Sequence, residues 1–125
     1  MHHNEISGII IQKAIEIHQS LGPGLLESVY QRVLTHELIA CGLQAEPEVI
    51  IPVVYNGLVF ECGFRADIIV EQKVIIEVKS VEIVQAVHKK QLLTYLKLSN
   101  LKLGLLLNFN TALLKDGIVR IANNL

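Results

Sequence analysis

Apolar positions along the first forty residues recur at helical spacing. Ile6, Ile9, Ile10, Ala14, Ile17 and Leu21 trace one face, with Asn4 placed as an N-cap. Gly22-Pro23-Gly24 interrupts the pattern. A second helix is expected from Leu26, Val29, Tyr30, Val33, Leu34 and Leu38, with Gly42 just past its C-cap. Between Glu48 and Val70 the period falls to that of strands. Asn56-Gly57, set between Val53-Val54-Tyr55 and Leu58-Val59-Phe60, is the strongest hairpin signal in the chain, and Gly63 is a candidate bulge. Helical spacing returns with Val84, Val87, Gln91, Leu92, Tyr95 and Leu96 and stops near Ser99-Asn100. The unbroken apolar run Leu103 to Leu107 predicts a strand covered on both faces. A turn at Lys115-Asp116-Gly117 then leads into a last strand, Ile118 to Ile121. The predicted order is α-α-β-β-β-α-β-β. Its third strand, crossover helix and fourth strand should form a parallel, right-handed βαβ unit in a mixed sheet.

The middle of the chain carries the first candidate chemistry. Ile68-Ile69-Val70 and Val74-Ile75-Ile76 flank Glu71-Gln72-Lys73, a polar three-residue connection that predicts a hairpin. Pairing centred on Gln72 sets Asp67 opposite Glu77. Side chains alternate between faces, so Lys79 shares the face of Glu77, and Asp67 joins them from the partner strand. Opposed Cβ atoms lie roughly 4.5–5.5 Å apart, where like charges repel. A divalent cation would relieve that repulsion, with Lys79 as a second, fixed positive charge. The ordinary alternative is that both carboxylates face water and Lys79 neutralises them as a cross-strand pair. A Glu-x-Lys triplet is cheap, and Glu71-Gln72-Lys73 is another. Context separates the two, because Val74 to Lys79 is otherwise a buried-type strand in which unpaired charge is costly.

Composition narrows the classes. With 125 residues the whole chain, 1–125, is expected to be a single domain, residues 1–4 being a disordered tail. A hydrophobic content of 51% must be hidden in a dense sheet core or a subunit interface, so a homo-oligomer is one expectation. No apolar run approaches the ~18 residues of a membrane span. Glu5, Gln12, Lys13 and Glu16 break any signal-peptide pattern, and the expected location is cytoplasmic with no membrane partner. Cys41 and Cys62 lack metal-type spacing and are expected to be free, buried thiols. A net charge of −1 provides no global field toward nucleic acid.

Further polar residues sit on the helices. Glu27 opens the second helix, where a carboxylate is favoured electrostatically; it could also reach the sheet as a metal ligand or water-positioning group. Tyr30 lies on the same face, and a core tyrosine with one satisfied hydroxyl explains it as well. His88, Gln91 and Tyr95 form a polar stripe along the crossover helix, read either as part of a site or as a solvated edge. His18 lies where it could stabilise the first helix C-terminus. His2 and His3 match no defined metal site. No phosphate loop, zinc spacing or Ser/His/Asp elbow is present.

Taken together, these residues resemble the GxxExxY family within the PD-(D/E)XK nuclease-like superfamily. The naming motif stands here as Gly24-Leu25-Leu26-Glu27-Ser28-Val29-Tyr30, after His18-Gln19-Ser20-Leu21-Gly22-Pro23. The superfamily core is matched by Asp67 followed by Glu77-Val78-Lys79, and Gln91-Leu92-Leu93-Thr94-Tyr95 resembles the Q-x-x-x-Y helix motif of its helicase-associated branch. Ala66 precedes Asp67 where many members have proline. The resemblance spans roughly His18 to Asn123. It implies an α/β (α+β) restriction-endonuclease-like core of order α-β-β-β-α-β, preceded here by an extra N-terminal helix. It also implies a phosphodiesterase site in which Asp67, Glu77, the Val78 carbonyl and Glu27 bind Mg²⁺ or Mn²⁺. Lys79 would assist the attacking water, and Gln91 and Tyr95 would support the site or hold the nucleic-acid backbone.

The leading expectation is therefore a Mg²⁺-dependent nuclease acting on DNA or RNA, engaging its substrate through local cations such as Arg32, Arg65, Lys89, Lys90 and Lys97. The alternative is a catalytically silent module of the same fold used for self-assembly or partner binding, with edge strands and the Ile-rich first helix as its interface. A metal-dependent hydrolase of nucleotides is a third.

Overall fold

The computed structural model describes residues 1–125. Its elements run α1 (His3–Leu21), α2 (Glu27–Ala40), β1 (Ala45–Tyr55), β2 (Leu58–Val70), β3 (Val74–Lys79), α3 (Ala86–Ser99), β4 (Leu103–Asn108), a 3₁₀ turn (Leu114–Gly117) and β5 (Ile118–Ala122). The five strands lie in the sheet in chain order. The pairs are antiparallel except β3 and β4, which run parallel as a βαβ unit requires. No helix is long and apolar enough to cross a membrane.

The sheet is covered on both sides because its central strands are apolar on both faces along most of their length. Ile68, Val70, Val74, Ile76, Leu103, Leu105 and Leu107 face α1 and α2, where they meet Ile6, Ile10, Leu34 and Leu38 in the larger core. Ala66, Ile69, Ile75 and Leu106 face the other way, against Leu92 and Leu96 of α3. Gly104 lets α3 approach β4: a Cβ there would stand 2.9 Å from Leu92. Asn56 and Gly57 both adopt positive φ, closing β1 onto β2 with a two-residue loop. Gly63 marks the predicted bulge. Ile51 pairs with Phe64 but Val53 with Phe60, so β2 carries two more residues than β1 there, and a side chain at Gly63 would collide with Val53.

Four local expectations need correction. Of the residues expected in a tail, His3 and Asn4 begin α1, and its N-cap is His2 rather than Asn4: the His2 ring accepts from the Asn4 backbone N–H (3.0 Å). A histidine ring nitrogen can serve this role as a side-chain oxygen does, which leaves the Asn4 side chain free to accept from Arg120 (2.8 Å). Val84 precedes α3, whose cap is Gln85. Cys41 and Cys62 are free but exposed, because Cys41 is the C-cap of α2 and Cys62 lies in the bulged segment of β2.

Candidate active site

The three-residue loop at Glu71 to Lys73 sets the β2–β3 register predicted from Gln72: Val70 pairs with Val74, Ile69 with Ile75 and Ile68 with Ile76. The ladder stops there. At the next position side chains take over from the backbone, since the Asp67 N–H donates to Glu77 Oε2 (2.9 Å) and the Val78 N–H donates to Asp67 Oδ2 (2.8 Å). Each carboxylate thereby fills one gap where the strands part and keeps its second oxygen outside these bonds. Glu77 is 6% exposed and Lys79 is half-buried at the end of β3.

Burial is the main cause of the unusual proton affinity of this pair. It raises the Glu77 pKa to about 7; the Asp67 charge adds to the rise, while the Asp67 N–H, the Lys79 ammonium and, with opposite sign, Glu27 contribute less. Asp67 is raised as well, again chiefly by burial, against the pull of the Val78 N–H and Lys79. Tyr95 stacks on Phe64 with centroids 3.9 Å apart. Its phenol is pushed above the usual range by burial first, then by the charges of Glu77 and Asp67. Asp67, Glu77, Lys79 and Tyr95 therefore occupy the α3 side of the sheet.

The glycine turn brings Glu27 to the same end of the sheet from the opposite side. The Tyr30 hydroxyl donates to Gly22 O (2.5 Å) and accepts from the Leu25 N–H (3.1 Å), while its ring stacks on Phe109 at 4.4 Å. This tie holds the turn over β3. Glu27 then accepts from the Ser80 N–H (3.0 Å), and Ser80 Oγ donates to Leu25 O (2.7 Å). A cleft of about 540 Å³, lined in part by Leu25, Glu27, Ser80 and Asn110, opens beside this contact. Glu27 and Tyr30 thus act together: the tyrosine shapes the turn that delivers the glutamate.

The crossover-helix stripe divides. Tyr95 reaches the site, whereas His88 forms a capping box with Gln85, its Nδ1 accepting from the Gln85 N–H (3.1 Å). Gln91 is exposed on the surface of α3. His18 is buried, with Nε2 2.8 Å from Thr111 O, tying α1 to the segment after β4. Arg65 pairs with Glu48 (3.8 Å) at the surface.

Two supporting residues escaped the sequence reading. Gln31 donates from Nε2 to the Asp67 carbonyl (2.9 Å); its i+4 spacing from Glu27 was the available signal. Asn108, 2% exposed, bonds both polar groups of Val81 and the Asn110 N–H, fixing the chain just after Lys79 and Ser80. A polar residue ending the buried run Leu103 to Leu107 was the corresponding hint.

The donor set fits a hard divalent cation. The buried Glu77 and half-buried Asp67 carboxylates repel each other, and each has an oxygen outside the backbone hydrogen bonds. No three His, Cys, Asp or Glu side chains converge at metal-binding spacing. Mg²⁺ does not need three, because it binds through one or two carboxylates and keeps several waters.

A family model described as the PD-(D/E)XK nuclease superfamily matches residues 4–121. No curated protein matches the chain. A solved structure, that of SSO0001, is similar at 22% identity over 93% of this chain and 76% of that one, with a TM-score of 0.45. A likeness that distant carries no argument about this chain.

Proposed function

The chain belongs to the PD-(D/E)XK nuclease superfamily, and on that premise we propose that it is a divalent-metal-dependent nuclease of the GxxExxY family, hydrolysing phosphodiester bonds of DNA or RNA. Its five-stranded mixed sheet with helices on both sides is consistent with the restriction-endonuclease-like fold. The observation that carries the proposal is the crossed pair of carboxylate–backbone bonds between Asp67 and Glu77-Val78, with Lys79 beside them. A strand end that only needed polar groups in contact with water would not bury Glu77.

In this reading Asp67, Glu77 and the Val78 carbonyl hold Mg²⁺ or Mn²⁺, with Glu27 approaching from α2. When bound, such a cation stabilises charge on the phosphate and acidifies a coordinated water. Lys79 orients the attacking water and places a fixed positive charge near the developing phosphorane. The Val78 N–H keeps the Asp67 carboxylate aimed, and Gln31 anchors the same residue through its carbonyl. Glu27 holds the Ser80 N–H and so fixes the chain next to Lys79. Tyr95, stacked on Phe64, closes one wall against water, and Gln91 is available at the surface to a nucleic-acid backbone. The exposed Arg32, Lys89, Lys90 and Lys97 provide local cations for phosphates.

Isothermal titration of Mn²⁺ into the wild type and Asp67→Ala tests the metal site. Incubation with single- and double-stranded DNA and RNA, in Mg²⁺ or EDTA, tests the chemistry. Saturable binding lost in the variant and EDTA-sensitive cleavage are expected. A wild type that takes up metal yet cleaves none of the four substrates would point to the silent module.

A further inference from the structure

The β1–β2 hairpin extends well past the rest of the sheet. β3 pairs only with Ile68 to Val70, so from Ala66 back to Leu58 the sole hydrogen-bonded neighbour of β2 is β1. Beyond the Gly63 bulge, Val53–Phe60, Val54–Val59 and Tyr55–Leu58 form a two-stranded ribbon. Both of its faces are apolar and open. Tyr55, Leu58 and Phe60 share one face, Val54 and Val59 the other, and each of the five is between 55% and 67% exposed; Ile50, at 56%, extends the patch toward the body. The twelve residues Val49 to Phe60 contain no charge.

A lone two-stranded ribbon is marginal in water, and monomers rarely expose apolar patches beyond a few hundred Å². The face of Tyr55, Leu58 and Phe60 alone presents on the order of 400 Å² and the remainder lies on the opposite face, so a partner packed on one face makes a contact at the small end of specific interfaces. The chemistry around the patch selects the occupant. The nearest charges are acidic, Glu46, Glu48 and Glu61, and Arg65 is engaged by Glu48, so the ribbon offers nothing to a phosphate backbone. Acidic flanks likewise disfavour an anionic lipid surface. Extension of the sheet edge is obstructed by Pro52, which has no N–H to donate, and by the bulge opposite it. What remains is packing by faces against a surface equally apolar and uncharged.

We infer that the ribbon is a dimerisation arm whose partner is the same ribbon of a second copy of this chain. The two arms pack about a two-fold axis through the face of Tyr55, Leu58 and Phe60, in an isologous contact whose centre holds no charge. The arm is separate from the acidic pair and does not depend on its chemistry.

Light scattering coupled to size exclusion, on the full chain from 1 to 100 µM, measures this directly. The wild type should show twice the 13.9 kDa chain mass at the upper concentrations. Leu58→Thr/Val59→Thr, which keeps β-propensity while removing apolar area from both faces, should halve that mass with an unchanged circular dichroism spectrum, and so should Leu58→Lys/Val59→Lys. Hydrogen exchange on the wild type gives a mutation-free reading: amides of residues 53–60 should gain protection as concentration rises. A wild type of single-chain mass at 100 µM overturns the inference, including one that sediments with lipid vesicles. Folded double variants that stay dimeric, or exchange at residues 53–60 that ignores concentration, also overturn it.

Discussion

Asp67 and Glu77 each bind the backbone of the other's strand: Glu77 Oε2 accepts from the Asp67 N–H, and Asp67 Oδ2 accepts from the Val78 N–H. The contact holds a buried and a half-buried carboxylate together that would otherwise separate, and it does so with backbone groups the ending ladder leaves unpaired. Under the proposed function a pair so constrained would be pre-set for a cation and costly without one.

Removing either working side chain should therefore remove activity and spare the fold. Asp67→Ala and Lys79→Ala are each expected to lower metal-dependent cleavage by about 10²–10⁴-fold. Single-turnover assays at saturating Mg²⁺ would measure this, with circular dichroism as the fold control. Undiminished cleavage by both variants would sink the assignment.

Without metal, the pair should make stability fall as pH rises. The Glu77 pKa is about 7 in the folded chain against an ordinary 4.5, so between those values the native state holds a proton that the unfolded state has lost. The stabilisation is full below about pH 4.5, declines toward pH 7 and is absent above it. Its size is at most ~3 kcal/mol. Asp67, raised as well, acts in the same direction. Urea unfolding in EDTA at pH 5 and pH 8 should show the decline. Glu77→Gln should flatten it, and Mn²⁺ at pH 8 should restore stability to the wild type.

Tyr30→Phe keeps the stack on Phe109 and deletes the hydroxyl that links Gly22 to Leu25. A loss of about 1–2 kcal/mol is expected, since both partners lie near solvent. Equilibrium urea denaturation measures the loss. Because the turn positions Glu27, cleavage should also decrease, and unchanged stability together with unchanged cleavage would count against the tie.

Gly104→Ala should cost about 1–3 kcal/mol, as the new methyl group meets Leu92 at 2.9 Å. Shortening the neighbour makes room, so Gly104→Ala/Leu92→Ala should be less destabilised than the two single changes added together. Strict additivity in chemical denaturation would show that α3 and β4 do not meet as described.

Local signals decided much of this molecule. Asn56-Gly57 sets the pairs from Tyr55–Leu58 to Val53–Phe60, beyond which the bulge shifts the register, and the Glu71 to Lys73 loop sets the register of its hairpin through turn geometry. That is why the opposition of Asp67 and Glu77 could be read from the chain. The apolar run Leu103 to Leu107 likewise indicated a strand buried on both faces. Harder to read were contacts that join remote segments. Gln31 reaches Asp67, Glu27 reaches Ser80 and His18 reaches Thr111 only because α1 and α2 pack across the sheet.

The sequence by itself thus determined the order of elements, the two hairpins, the register of the β2–β3 pair and with it the opposition of Asp67 and Glu77, all of which follow from interactions within a few residues. Tertiary structure alone decided how deeply Glu77 is buried, that Tyr95 joins the site while His88 caps its helix, that both cysteines are exposed, and that the apolar ribbon is uncovered. Burial depends on which surfaces distant segments bring together, and periodicity along one strand cannot report whether another element lies on its face.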